Sequence, residues 1–204
     1  MKIFITGTDT NVGKTLISSW IALHTGFAYF KPIQTGTNEG SDSLEVQKQS
    51  NAKIYPEVYS YRDPLSPHLA AMIENNVIDM NKIVLPRASH LIIEGAGGVL
   101  VPMNGKYLMV ELIKKLDAPV ILVARTTLGT INHTLLSLEA LRSRNIQVLG
   151  VIMNGEKNLQ NSKAIEFYGR TSVLADFPKL DNVSMSTLQR VALSQQLKQI
   201  LEVG

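Results

Sequence analysis

The 204-residue chain contains no cysteine, which excludes disulfides and thiolate metal sites and leaves stability to packing. It has few aromatics, 6% of residues, and no long hydrophobic run. The longest apolar stretch, residues 118–124, is far below membrane-spanning length, and the apolar run ahead of Thr6 is too short for a signal-peptide core. These shortages predict a cytoplasmic protein without membrane association. Charge of neither sign dominates, with a formal net charge of +3 and a pI near 9.1. The basic residues are scattered, and the densest pair, Lys114 and Lys115, falls on a helix-like stretch, so a solvated helix face is read there and no nucleic-acid surface. His24, His68, His90 and His133 never fall at metal-ligand or triad spacing with one another, and no Ser/His/Asp hydrolase pattern occurs.

What is present is ordinary for a soluble globular chain, 45% hydrophobic and 18% charged, and its length fits one domain, 1–204. Apolar, β-rich runs recur at 3–5, 27–30, 91–93, 120–123 and 148–152, with a weaker one at 172–174. Helical periodicity lies between most of them, at 16–23, 110–116 and 135–141. Continuous apolar strands separated by helices predict an α/β fold, a parallel sheet covered on both faces in three layers. In the middle, Gly40-Ser41-Asp42 reads as a turn into a short helix from about Ser43. Ser66 as a cap and Pro67 at the first helical position predict a second helix reaching Glu74. Residues 186–201 read as one amphipathic helix, with Leu188, Val191, Ala192, Leu197 and Ile200 available for burial.

Parallel sheets take their ligands at the carboxyl ends of the strands, and polar motifs follow these strands. The first is GTDTNVGKT at 7–15, between a strand pattern and a helix pattern. Such a loop points backbone N–H groups at phosphates, Lys14 reaches the outer phosphates, and the Thr15 hydroxyl can join Mg2+ coordination. The spacing departs from G-x-x-x-x-G-K-[ST], since Thr8 holds the usual first-glycine position. A nucleoside triphosphate site follows, in a P-loop NTPase-like domain. After the second strand comes KPIQTG at 31–36, where Pro32 stiffens the backbone carrying Lys31, and Thr35 and Gly36 add a hydroxyl and a flexible turn. Glu94 ends the run 91–93 and leads into a glycine-rich loop, a position suited to a metal ligand. Asp42 reads either as a helix cap or as a second acidic ligand. Thr15, Asp42 and Glu94 together make a complete protein share for Mg2+, which takes one or two carboxylates plus phosphate oxygens and water.

The order of motifs, GTDTNVGKT, KPIQTG, Ser41-Asp42, SPHLAA at 66–71, EGAGGVLVPM at 94–103, ARTTLGTINH at 124–133 and Asn154, resembles the dethiobiotin synthetase family. The resemblance implies an ATP- and Mg2+-dependent carboxylation of 7,8-diaminononanoate with CO2, through a carbamate and a carbamic–phosphoric anhydride, releasing ADP and phosphate. It makes Lys31 the catalytic lysine, assisted by Lys14 and Thr10. It implies ATP contacts from Asn11, Val12, Gly13, Lys14, Thr15, Leu16, Asp42, Glu94, Gly95, Ala96 and Gly97, with Asn154 reading adenine and Pro178 in the loop over the base. Mg2+ falls to Thr15, Asp42 and Glu94, and substrate contacts to Thr10, Lys31 and Thr35. The substrate carboxylate would reach the helix start at Leu128 to Asn132 of a second subunit, which implies a homodimer with active sites at the interface. Two departures stand out: Asn11 occupies a position where many relatives carry Glu, and the segment between Asn154 and Pro178 is short. Partitioning ATPases of the same superfamily carry a second lysine where this chain has Asp9, and amidotransferase-like relatives need a cysteine it lacks. A nucleotide sensor that binds ATP without turnover is the remaining alternative.

Overall fold

The computed structural model describes residues 1–202, so the last two positions of the expected 1–204 domain lie outside the described residues. In chain order the elements are β1 (Lys2–Gly7), α1 (Lys14–Thr25), β2 (Ala28–Phe30), β3 (Ile33–Gln34), α2 (Asp42–Ser50), β4 (Ile54–Tyr55), β5 (Tyr59–Ser60) and α3 (Pro67–Ile73). They continue with β6 (Leu91–Gly98), α4 (Met109–Leu116), β7 (Val120–Arg125), α5 (Thr130–Arg142), β8 (Val148–Asn154), α6 (Leu159–Gly169), β9 (Val173–Phe177), α7 (Met185–Arg190) and α8 (Gln195–Leu201). Seven strands form one parallel sheet in the order β4-β2-β6-β1-β7-β8-β9, and β3 pairs with β5 beside it.

The alternation of side chains along each strand divides the core in two. Ile3, Ile5, Tyr29, Ile92, Ile121 and Ile152 face a cluster built with Ile17 and Trp20 of α1, Leu188 of α7 and Leu197 of α8. Phe4, Phe30, Ile93, Val120 and Leu122 face the opposite cluster with Val110 and Ile113 of α4, Leu138 of α5 and Ile165 of α6. Both faces of the sheet are therefore dry, which is why its strands read as continuous apolar runs. Full burial of each such side chain contributes about 1.5–3 kcal/mol.

Three expectations are corrected. Residues 186–201 form two short helices, because Ser194 caps α8 by accepting from the Leu197 amide at 3.0 Å and donates to the Leu174 carbonyl at 2.5 Å. Ahead of it the Val191 carbonyl accepts from Trp20 Nε1 at 2.6 Å, and the change of phase buries Leu193 and exposes Ala192. Residues 94–98 continue β6 as strand where a loop is expected, held by the pairing of Glu94 with Ile5 and of Gly98 with Gly7. Ser66 precedes α3 as foreseen, but its hydroxyl bonds His68 Nδ1 at 3.1 Å and caps nothing. Helix α6 falls on residues for which no helix is expected. Among the described residues, no helix is long and apolar enough to cross a membrane.

The switch point of the sheet lies between β1 and β6: the chain leaves β1 to build β2 and β4 on one side, and leaves β6 to build β7, β8 and β9 on the other. A crevice opens at the carboxyl ends of the strands at such a point.

Candidate active site

The loop between β1 and α1 fills that crevice. Asn11 has φ 57° and Gly13 φ 96°, both left-handed, a region that asparagine tolerates and that glycine enters without penalty. Gly13 is the N-cap of α1 and offers no side-chain acceptor, so the first amides of the helix point out of the loop unpartnered by a cap. This is the arrangement that receives a phosphate. The loop is pinned from behind, where Asn154 at the end of β8 donates from Nδ2 to the Val12 carbonyl at 2.9 Å. To the side, Asp9 accepts from the Thr10 amide at 2.7 Å and pairs with Arg125 at 2.6 Å.

Behind the loop, four elements bring charged groups together. Lys31, leaving β2, holds Nζ 2.7 Å from Asp42 Oδ2 and 3.1 Å from Glu94 Oε1. It also donates to the Gly95 carbonyl at 3.4 Å. Asp42 is not the cap: Ser41 caps α2 by accepting from the Leu44 amide, and Asp42, the first helical residue, faces Lys31. Gln34 fixes that helix start by accepting from the Asp42 amide at 3.1 Å. Glu94 is buried in β6, and each of its oxygens has two partners. Oε1 meets Lys31 and Thr15, while Oε2 accepts from Ser18 at 2.7 Å and Tyr29 at 3.0 Å. An isolated buried carboxylate costs several kcal/mol, so this full set of partners is what lets an ionised Glu94 persist inside the sheet.

The electrostatics follow from the two-against-two balance of Lys14 and Lys31 with Asp42 and Glu94. Burial opposes the charge on Lys31, but Glu94 and Asp42 outweigh it and its pKa rises above the usual lysine value. Burial likewise disfavours the charged Asp42, and the Lys31 ammonium overrides it, holding the carboxyl below its ordinary range. Lys14 has no such partner. Burial, with a contribution from Lys31, lowers it to about 8 against the pull of Glu94, and its Nζ reaches only the Asp9 carbonyl, at 3.3 Å. An anion in the loop would raise it again by favouring the ammonium form. Burial beside Glu94 pushes the Tyr29 phenol well above its usual value, so the hydroxyl stays a donor.

Thr15 carries the test of a metal. Its Oγ1 lies 3.0 Å from both Asp42 Oδ1 and Glu94 Oε1, yet a hydroxyl has one proton and can satisfy only one of them. Three oxygens converging beside the phosphate loop suit a hard divalent cation, and an all-oxygen set with two carboxylates suits Mg2+, whose remaining positions go to phosphate and water. Among the described residues no cluster of three or more His, Cys, Asp or Glu offers a cage of another kind.

A cavity of about 590 Å³ gathers Thr10, Asn11, Gly13, Lys14, Thr15, Leu16, Lys31, Thr35, Asp42, Glu94, Ala96 and Gly97 from the expected set. Val12 is buried under it and Gly95 contributes its carbonyl to Lys31. Leu128, Asn132 and Asn154 lie apart, lining a second cavity of about 1160 Å³ with Arg125, Lys157 and Lys179, and Pro178 borders a third groove beside it. Ser18, Tyr29 and Gln34 are absent from the expected set. Ser18 had a signal, three positions after Thr15 on the same helix face; Tyr29, inside an apolar strand, had none.

Comparison with known proteins agrees with this geometry. A family model described as an AAA domain matches residues 1–187. The ATP-dependent dethiobiotin synthetase BioD of Lawsonia intracellularis is 54% identical over 203 residues, covering 100% of both chains. That of Neorickettsia sennetsu is 46% identical, covering 99% of this chain and 96% of its own. Among solved structures, a ParA family ATPase from Chlorobium tepidum superposes with a TM-score of 0.58 over 98% of this chain and 95% of its own, at 13% identity, a likeness of fold alone. On a parallel sheet whose switch point carries a phosphate loop, two lysines and two carboxylates, full-length identity of this order is decisive: the chain belongs to the dethiobiotin synthetase family.

Proposed function

We propose that this enzyme closes the ureido ring of dethiobiotin from 7,8-diaminononanoate, CO2 and ATP, releasing ADP and phosphate. The observation that carries the reading is the meeting of Lys31 with Asp42 and Glu94 beside the phosphate loop. One amine of the substrate takes up CO2 as a carbamate. A carbamate oxygen then attacks the γ-phosphorus of ATP, ADP leaves with the electrons of the broken P–O bond, and the second amine displaces phosphate from the mixed anhydride as the ring closes. Negative charge builds on the transferring group throughout. Lys14 and Lys31 are the two ammonium groups in the cavity able to neutralise it, which is the main means of catalysing phosphoryl transfer.

Thr15, Asp42 and Glu94 would hold Mg2+, which supplies further charge neutralisation and orients the phosphates. Thr10 and Thr35 line the same cavity, and their hydroxyls would serve the diamine and the carbamate. One Nδ2 proton of Asn154 goes to the Val12 carbonyl, which leaves Oδ1 and the second proton for adenine, with Pro178 flanking the base. The assay that tests the whole is ADP release at saturating bicarbonate with and without the diamine. Release that requires the diamine is expected; diamine-independent hydrolysis, or binding without turnover as in a sensor, overturns the synthetase reading.

The protein acts in this reading as a homodimer. Supporting it, α5, α6 and the turn ahead of α5 expose Leu128, Leu136, Phe167 and Tyr168, each more than half accessible. Leu128 precedes the N-cap of α5 and Asn132 lies in its first turn, where a helix N-terminus would suit the carboxylate of a substrate held mainly by the other subunit. Light scattering on the eluting protein should return twice the 22.5 kDa chain mass, and a monomer mass at micromolar concentration would refute it.

A further inference from the structure

We propose that Tyr29 and Ser18 are positioning residues that aim one oxygen of Glu94 at the metal and nucleotide by holding the other. The inference rests on the assignment of Thr15, Asp42 and Glu94 to a divalent cation.

A carboxylate at the end of a side chain can turn about its last bond, and which oxygen it offers is set by its partners. Here the two oxygens are divided. Oε1 faces the cavity, 3.0 Å from the Thr15 hydroxyl and 3.1 Å from the Lys31 ammonium. Oε2 faces the opposite way and takes two donors, Ser18 Oγ at 2.7 Å and Tyr29 Oη at 3.0 Å. Both donors are fully buried and come from different elements, α1 and β2, so they grip the oxygen from the helix side and from the sheet. Neither lines the cavity, and neither can touch a ligand in it.

Tyr29 stands out on chemical grounds. It occupies the middle of a three-residue strand whose neighbours Ala28 and Phe30 are apolar, and its ring packs in the core with Ile3 and Ile92. Phenylalanine would fill the same space. The hydroxyl is the part that packing does not require, and its one hydrogen-bond partner is Glu94. Ser18 is similar: alanine fits its helix position, and the hydroxyl reaches Glu94 alone. Groups behind a metal ligand typically change metal affinity by about 10–100-fold when removed.

Two donors on one oxygen predict a particular pattern of loss. With either removed the other still holds Oε2; with both removed the carboxylate turns freely. The experiment measures, by calorimetry, the affinity of the full-length protein for adenylyl imidodiphosphate with Mn2+ and without metal. The ratio of the two affinities isolates the part of binding that passes through the metal ligands. For Tyr29→Phe and for Ser18→Ala the ratio should fall about twofold to fivefold, and in the double variant by more than the product of the single effects, about 10–100-fold. Affinity for the metal-free analogue should match wild type in all three, which also certifies their folding. A ratio unchanged in Tyr29→Phe and Ser18→Ala overturns the inference, as does an equal loss of both affinities, which would mark a structural role alone. A wild-type protein with no gain from Mn2+ would remove the metal assignment itself, and this inference with it.

Discussion

Lys31→Gln is expected to lower turnover by about 10²–10³-fold while leaving ATP binding largely intact. Glutamine is one atom shorter but keeps an N–H donor, so the loss comes chiefly from the charge. Two effects combine. The carbamate and the transferring phosphoryl group lose the only ammonium that lies between Asp42 and Glu94, and the two carboxylates lose their shared counter-charge. The second effect reaches stability, because breaking a buried ion pair costs about 3–5 kcal/mol when the remaining charge stays uncompensated. Glu94 keeps Thr15, Ser18 and Tyr29, and the Asp42 side chain is 31% exposed and can be solvated, which places the cost at the low end, about 3 kcal/mol. Steady-state ADP release and urea unfolding read the two losses separately. A near-normal rate removes Lys31 from the mechanism, whatever happens to stability.

Gly13→Ala should abolish nucleotide binding, with an affinity loss of more than about 100-fold. Two independent penalties meet there. The backbone has φ 96°, where a side chain is strained, and a Cβ would lie 2.0 Å from Asn154 Nδ2. Asn154 would have to release the Val12 carbonyl, and the loop would lose the contact that pins it to β8. Pairing the change with Asn154→Ala separates the causes. That double variant removes the clash and keeps the φ strain, so calorimetric titration with ATP should show partial recovery. Binding by Gly13→Ala at wild-type strength would mean that the loop geometry is not what holds the phosphates.

The parts of this site legible in the sequence are those whose signal is local or sits at a strand end. GTDTNVGKT is strand, loop and helix start within one short stretch, and Lys31 and Glu94 each follow a recognisable apolar run. Asp42 was legible as a choice between cap and ligand; the cap falls to Ser41, and Asp42 turns its carboxylate to Lys31. Tyr29 was hidden because a buried aromatic in a strand reads as core, and only the position of β2 beside β6 reveals its hydroxyl beneath Glu94. Residues 94–98 read as a loop because glycine runs usually are; pairing with β1 extends them as strand. Helix α6 escaped notice because it buries little beyond Ser162, Ile165 and Gly169, too weak an apolar stripe for periodicity. Ser194 is a similar case, since a hydrophobic pattern carries no mark of the cap that divides α7 from α8.

The place of β6 in the sheet has a consequence for the order in which the chain becomes competent during synthesis. The strand lies between β1 and β2, yet it follows β2 by some sixty residues of chain and β1 by more than eighty. Until it emerges, the first ninety residues hold the phosphate loop, both lysines and Asp42 with no ladder between β1 and β2 to set their spacing. The cavity therefore lacks Glu94, Ala96, Gly97 and the strand that joins its two sides until residues 91–98 fill the gap. ATP should protect the finished chain from proteolysis and leave a ribosome-bound fragment that stops short of β6 as susceptible as before.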